Sequence, residues 1–302
     1  MATASPDRQP PDGELPPDGH VHTEWSWDTT VGSMEQTCAR AVDLGLPSIA
    51  FTDHCDFTRW RLDPPPPRPE PGSRESGWLR HERDGWLAPP PLDVDGYLAT
   101  VERCRDRFPG LRILSGTELG EPHWHPGPAR TVLGAGRFDR VLGSVHSLVS
   151  AGTARMVDFL YGPLDPGELI RAYLAEVLRL VGSDAPFAVL AHIDYPVRHW
   201  PAAAGPFDPA TFEDEYRTVL ATLARSGRAL ELNTVVPLPA RIVRWWHEAG
   251  GEALAFGSDA HRPASLAREF ARAAGLAEAA GFRPGRHPHD LWRRAGMIGG
   301  WT

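Results

Sequence analysis

The stretch Leu46-Pro-Ser-Ile-Ala-Phe-Thr52-Asp53-His54 is a short apolar run that stops at an acid and a histidine. Bounded by Gly45 on one side and a polar pair on the other, it reads as a buried β-strand. The same arrangement recurs along the chain. Leu111-Arg-Ile-Leu-Ser-Gly-Thr117 leads into Glu118, Phe138-Asp-Arg-Val-Leu-Gly-Ser-Val145 into His146, and Pro186-Phe-Ala-Val-Leu-Ala191 into His192. Ala253-Leu-Ala-Phe-Gly-Ser258 leads into Asp259-Ala-His261, and Arg228-Ala-Leu-Glu-Leu-Asn233 ends on Asn233. Near the start, a short strand carries His20 and His22, which at i and i+2 point to the same side of an extended chain.

Helical segments separate these strands. Ser33-Met-Glu-Gln36 reads as a capping box opening a helix that Gly45 stops. Asp95 to Phe108 is helical and closed by Pro109-Gly110. Asp165 is an N-cap and Pro166 the first residue of a helix to Val181. Further helices are expected from Asp208-Pro209 to Gly227, over Arg241 to Ala249 and Ser265 to Ala280, and in a short piece near Asp290 to Arg294. About seven strand-then-helix units argue for an α/β fold with parallel strands and right-handed crossovers. In a parallel barrel the C-terminal strand ends gather on one face, where active sites form.

The 302 residues suit one such barrel, expected to span 18–302, with residues 1 to about 17 as a disordered arm. No apolar run approaches the roughly 18 residues of a membrane span, and the N-terminus lacks a signal-peptide layout. Cys38, Cys55 and Cys104 form no disulfide framework, so a cytoplasmic setting is expected. The formal charge of −8 argues against a nucleic-acid partner. The chain has no lysine, which excludes Schiff-base chemistry, P-loop nucleotide binding and carboxylated-lysine metal bridges. Residues 59–92 hold nine prolines between Pro64 and Pro91, plus Trp78 and Trp86. This insertion is expected to lack regular structure. Leaving the active-site end of the second strand, it is either a lid or specificity loop, or a floppy excursion.

His, Asp and Glu together make a mixed nitrogen and oxygen donor set suited to zinc, manganese or iron. Each residue alone has a plainer use. A strand-end histidine can be a hydrogen-bonded structural group, Glu118 a cap or ion-pair partner, Asp259 an N-cap and Asp28 a turn residue. Their recurrence at six strand ends of seven points to a shared metal cluster.

The motifs His20-Val-His22-Thr, Thr52-Asp-His54, Gly116-Thr-Glu118-Leu-Gly, Gly143-Ser-Val-His146, Ala191-His192-Ile-Asp, Glu231-Leu-Asn233-Thr and Gly257-Ser-Asp259-Ala-His261 resemble those of the PHP (polymerase and histidinol phosphatase) superfamily. The likeness runs from Asp18 to His261 and is closest to histidinol-phosphatase-type members. It implies a distorted, TIM-like (β/α)7 barrel with about three divalent transition-metal ions (Zn, Mn or Fe). One ion would take His20, His22, Glu118 and Asp259. A second would share Glu118 and add His146 and His192. The third would take Asp28, His54 and His261.

The implied reaction is hydrolysis of a small phosphorylated metabolite, such as histidinol phosphate, by metal-bound hydroxide, with Glu118 and Asp259 central to catalysis. Arg198 and Arg155 are the expected phosphate binders; Arg59 and Arg262 lie on loops at the same end. His123 and His125 are expected beside the cluster or on the surface, and Cys55 as a packed thiol. The long insertion departs from the family pattern and leaves the substrate open. Alternatives are a PHP-type phosphodiesterase or exonuclease, an amidohydrolase-like C–N hydrolase, and a non-catalytic metal-binding domain. The sequence does not set the oligomeric state.

Overall fold

The computed structural model describes residues 15–63 and 77–296. The chain runs β1 (Asp18–Val21), α1 (Met34–Asp43), β2 (Ser48–Phe51) and β3 (His54–Asp56). The insertion then contributes β4 (Trp60–Arg61), β5 (Glu82–Arg83) and β6 (Trp86–Leu87). Next come α2 (Val94–Arg107), β7 (Arg112–Gly120), α3 (Pro126–Ala135), β8 (Arg140–Ser144), β9 (Ser147–Ser150) and β10 (Thr153–Met156). The second half is α4 (Pro166–Val181), β11 (Val189–Leu190), α5 (Glu213–Arg225), β12 (Ala229–Asn233), α6 (Ala240–Glu248) and β13 (Ala253–Gly257). It closes with α7 (Phe270–Ala279), β14 (Phe282–Arg283) and β15 (Trp292–Arg294).

The helices follow local chemistry. The Asp165 carboxylate accepts from the backbone N–H groups of Gly167 and Glu168, and Pro166 supplies a preset first turn. Leu169, Ile170, Tyr173, Leu174, Val177, Leu180 and Val181 then form one buried face of α4. Ser33 accepts from the Gln36 N–H at the start of α1, and Gly45 leaves that helix with φ +69°.

The strands form a curled, parallel-dominated sheet in the order β1-β2-β7-β8-β11-β12-β13-β15-β14, with β3 alongside β7. Its seven principal strands pair in parallel. A core between the sheet and α4 to α7 includes Tyr173, Tyr216, Trp246 and Phe256, and a second on the α1 and α2 side includes Met34, Ile49, Phe51 and Tyr97. Past the end of β13, Asp259 N–H donates to the His20 carbonyl at 2.8 Å and His22 N–H to the Ala260 carbonyl at 2.9 Å. These bonds join the two ends of the sheet on the face that carries the strand C-termini. At the opposite end of β13, β15 takes the edge instead, pairing antiparallel at Ala253 and Leu254.

Several expectations need correction. Asp290 to Arg294 is not helical. Its Trp292 is buried against the Phe256 ring at 4.9 Å, and pairing with β13 and β14 makes it a strand. The helix expected from Ser265 begins at Phe270, because Ala267 and Glu269 take left-handed φ values of 52° and 59°. The segment after Asp208 splits into a 3-10 turn over Pro209–Phe212 and then α5. Leu15 packs against both cores and Pro16 and Pro17 are buried, so the arm expected to reach residue 17 is already folded there; residues 1–14 lie outside the described part. The insertion is not wholly irregular: β4, β6 and β5 form an antiparallel three-stranded sheet. The prolines from Pro64 to Pro71 lie outside the described residues.

Candidate metal centre

Backbone pairing decides which donors meet. β3 lies parallel to the outer half of β7 with His54 opposite Glu118. The bonds between the β1 end and residues 259–260 bring His20 and His22 to Asp259 and His261. Asp259 itself has φ +52° and His192 φ +23°, both uncommon for residues with a Cβ.

Glu118 is fully buried at the middle of the cluster. Its Oε2 lies 3.2 Å from His20 Nε2 and 3.5 Å from His22 Nε2. Its Oε1 lies 2.8 Å from His192 Nε2 and 3.1 Å from His146 Nε2. Asp259 Oδ1 lies 3.2 Å from His22 Nε2 and 3.7 Å from His20 Nε2. Asp28 Oδ2 lies 3.0 Å from His261 Nε2 and 3.7 Å from His54 Nε2. The His22 ring packs against those of both His54 and His261, each centroid 4.2 Å away. His54 stands between groups, because its Nδ1 is 3.1 Å from Glu118 Oε2. All nine residues expected as ligands therefore sit in one connected cluster.

The outward ring nitrogens set the tautomers. His20 Nδ1 is 2.7 Å from Glu231 Oε1, and His146 Nδ1 is 3.1 Å from Asp56 Oδ1. His22 Nδ1 is 3.0 Å from Ser26 Oγ, whose own proton goes to Asp53 Oδ1 at 2.7 Å. His22 Nδ1 must then be the donor. In their neutral forms His20 and His22 would aim unprotonated Nε2 lone pairs at each other across 3.0 Å, with two carboxylate oxygens alongside. Such an arrangement is satisfied by a positive charge between them, either a proton on His20 or a metal cation. Outer partners that fix the tautomer in this way are typical of histidine metal ligands. The residues present thus fit divalent transition-metal ions.

The local electrostatics agree. Burial opposes a charge on His20, but Glu231, Glu118 and Asp259 outweigh it and raise its pKa well above the usual value. The same acids that would hold that proton can hold a metal cation. His22 is pushed well below the usual value by burial and by the neighbouring His54 and His261. Burial alone would raise Glu118, yet His20, His54 and His146 keep its carboxyl well below the ordinary range.

A family model described as PHP domain matches residues 18–235. This chain belongs to the PHP domain family. The chain is 29% identical over 272 residues to a probable histidinol-phosphatase of Deinococcus radiodurans, covering 85% of this chain and 90% of the relative. It is 26% identical over 258 residues to a probable histidinol-phosphatase of Thermotoga maritima, covering 83% and 86%. Its fold is similar to the crystal structure of histidinol phosphate phosphatase from Lactococcus lactis complexed with zinc, L-histidinol and phosphate. There the TM-score is 0.73 at 21% identity, over 92% of this chain and 99% of that one.

Around the PHP cluster, the remaining expected residues fall in different places. Arg198 is at its edge, with Nη2 donating to Asp259 Oδ2 at 2.6 Å and its guanidinium 4.7 Å from the Tyr195 ring centre. Arg155 on β10 donates to the Asp63 carbonyl at 2.5 Å, on the insertion side. Arg59 stacks on Trp86. His123 bonds Glu176 on α4, away from the cluster, and His125 bonds Thr58. Asp53 turns away from the cluster and binds Thr23 N–H, Thr23 Oγ1 and Ser26 Oγ; burial pushes its carboxyl up to about 6. Cys55 is buried, as expected for a packed thiol.

Two acids were not anticipated. Asp56 shares the face of His54 through i, i+2 alternation, a signal present in the sequence. Glu121 is buried and accepts from the backbone of His146 at 2.5 Å and Ser147 at 2.8 Å, and from Thr58 Oγ1 at 2.9 Å. Nothing in the local sequence marks it out, because its partners are remote in the chain. Among the described residues no helix is long and apolar enough to cross a membrane.

Proposed function

We propose that this chain is a metal-dependent phosphomonoesterase acting on a small phosphorylated metabolite, with histidinol phosphate the first candidate. The observation that carries this reading is the division of Glu118, whose two oxygens face two separate histidine pairs, His20/His22 and His146/His192. A carboxylate so placed is suited to bridge two ions. The names of the relatives and the zinc, L-histidinol and phosphate of the structural neighbour support the substrate class. We read the fold as a distorted (β/α)7 barrel, joined by the β1 to 259–260 bonds on the site face and parted by β15 at the other.

In this reading about three divalent ions bind, with zinc the first candidate and manganese or iron as alternatives. His20, His22, Glu118 and Asp259 would hold one, Glu118, His146 and His192 a second, and Asp28, His54 and His261 a third. Bound ions supply Lewis acidity and lower the pKa of water, so no protein nucleophile is required. Glu231 and Asp56 orient the imidazoles of His20 and His146. Arg198, which donates to Asp259, would also bind a substrate phosphate, a role for which arginine is well suited. Arg155 is a more distant candidate for the same role.

The test is metal analysis of the purified chain followed by phosphate release from a panel of phosphomonoesters that includes histidinol phosphate. Two or more transition-metal ions per chain and saturable hydrolysis of one metabolite are expected. A chain that releases phosphate from none of them after loading with zinc or manganese would refute the reading.

A further inference from the structure

The insertion between β3 and α2 touches the centre's surroundings at two separate places. On one side, Gly77 runs against the backbone of Asp28: a Cβ at Gly77 would lie 2.6 Å from the Asp28 carbonyl oxygen. Three residues on, Arg80 Nη2 donates to the Trp27 carbonyl at 2.9 Å. Trp78 is buried in a cluster with Trp27, Trp60, Leu62, Leu87 and Met156. Trp27 carries this contact inward, since its Nε1 donates to Asp56 Oδ2 at 2.8 Å while Asp56 Oδ1 holds His146 Nδ1.

On the other side, Trp60 Nε1 donates to Ser147 Oγ at 2.5 Å, one residue beyond His146. The two sides are tied together by the small sheet, where β6 pairs with both β4 and β5, and by Leu62 N–H donating to the Gly85 carbonyl at 2.9 Å. One short, apolar-cored sheet therefore grips the Trp27-Asp28 segment and the His146-Ser147 turn at once.

We propose that the described parts of the insertion, residues 60–63 and 77–87, are a clamp that fixes Asp28 and His146 relative to one another, with Arg80 and Trp60 as its positioning residues. The proposal rests on the metal-centre reading above and adds to it a reason for the insertion. Neither residue is placed among the ligands. Their action is on the segments that carry ligands, where loss of an orienting partner costs about 10–100-fold in metal affinity. The effect falls on the ions at the Asp28 and His146 side and spares the His20/His22 side, which is held by β1, residues 259–260 and Glu231.

The test is release of zinc from the zinc-loaded chain against rising dipicolinate, read as ions retained per chain, with the melting temperature measured alongside. Arg80→Ala and Trp60→Phe are expected to lose part of their zinc at about tenfold lower chelator than the unaltered chain. The most tightly held ion is retained, and the melting temperature of Arg80→Ala in excess dipicolinate, where no zinc contributes stability, stays near that of the unaltered chain. Arg80→Lys, which restores a donor, returns the curve toward that of the unaltered chain. Arg61→Ala, whose partners lie within the insertion at Asp84 and Trp86, leaves it in place. If both Arg80→Ala and Trp60→Phe release zinc along the unaltered curve, the clamp is wrong and the metal centre stands. Loss of all ions together with a melting temperature of Arg80→Ala lowered even in excess dipicolinate also overturns it, because that is general destabilisation. An unaltered chain that binds no zinc refutes the metal centre and the clamp with it.

Discussion

His20 is gripped from behind by Glu231: Nδ1 of the histidine lies 2.7 Å from Oε1 of the glutamate, and both are buried. The other oxygen of Glu231 accepts from the His192 backbone N–H at 2.7 Å and from Asn233 Nδ2 at 3.2 Å. One carboxylate on β12 thus orients two proposed ligands from different strands. Glu231→Gln turns part of this acceptor into a donor. It is expected to weaken metal binding by about 10–100-fold without unfolding the chain. A metal-buffered titration with circular dichroism as the fold control checks this.

Glu118→Gln removes the charge that faces both histidine pairs. Activity is expected to fall by more than about 100-fold, the upper end for losing an outer partner alone. Metal stoichiometry should drop with it, while the unfolding midpoint in the presence of chelator stays near that of the parent. Normal turnover in this variant would refute the bridging assignment.

Chelation itself should destabilise the chain. Without a cation, the Nε2 atoms of His20 and His22 face each other at 3.0 Å beside two carboxylates. A metal that binds only the folded state adds stability in proportion to RT ln(1 + [L]/Kd). Calorimetry with and without dipicolinate should show a lower melting temperature on chelation, recovered by adding zinc or manganese.

Tyr97 bridges two neighbouring strands through one hydroxyl. Its OH donates to the Phe51 carbonyl at 2.8 Å and accepts from the Gly116 N–H at 2.9 Å. Tyr97→Phe leaves two backbone groups unpaired, each costing about 1–3 kcal/mol. A loss of about 2–4 kcal/mol in denaturant unfolding is expected.

Glu176 gives the chain an acid-sensitive contact outside the centre. Burial would raise its carboxyl, but bonds from His123 and Trp124 and the charge of Arg179 outweigh it and hold the pKa below its ordinary value. A depressed acid contributes stability above its unfolded pKa and loses it as pH falls through the folded one. Stability should therefore decline as pH drops below about 4.5, and Glu176→Gln should flatten that decline. Urea midpoints measured across the acid range test the slope.

The strand ends were legible because each packs two strong signals together: a β-branched or aromatic run that must be buried, and a polar donor that has no reason to follow it unless the strand stops there. Asp165-Pro166 was legible for a similar reason, since cap and first turn are local chemistry. Trp292 was not, because a buried strand of three residues has no period of its own. Glu121 was hidden in the same way: its value lies in the backbone of His146 and Ser147, which only folding brings to it.

The sequence by itself determined the elements and the inventory of donors, because hydrophobic periodicity, capping and residue chemistry act within a few positions of the chain. It also determined the absence of lysine. Tertiary structure alone decided the grouping. It set Glu118 between two histidine pairs, gave His20 and His22 their tautomers through Glu231 and Ser26, and turned Asp53 away while bringing Asp56 in. Those outcomes depend on which strands lie side by side and in what register, and that is fixed by packing between residues far apart in the chain.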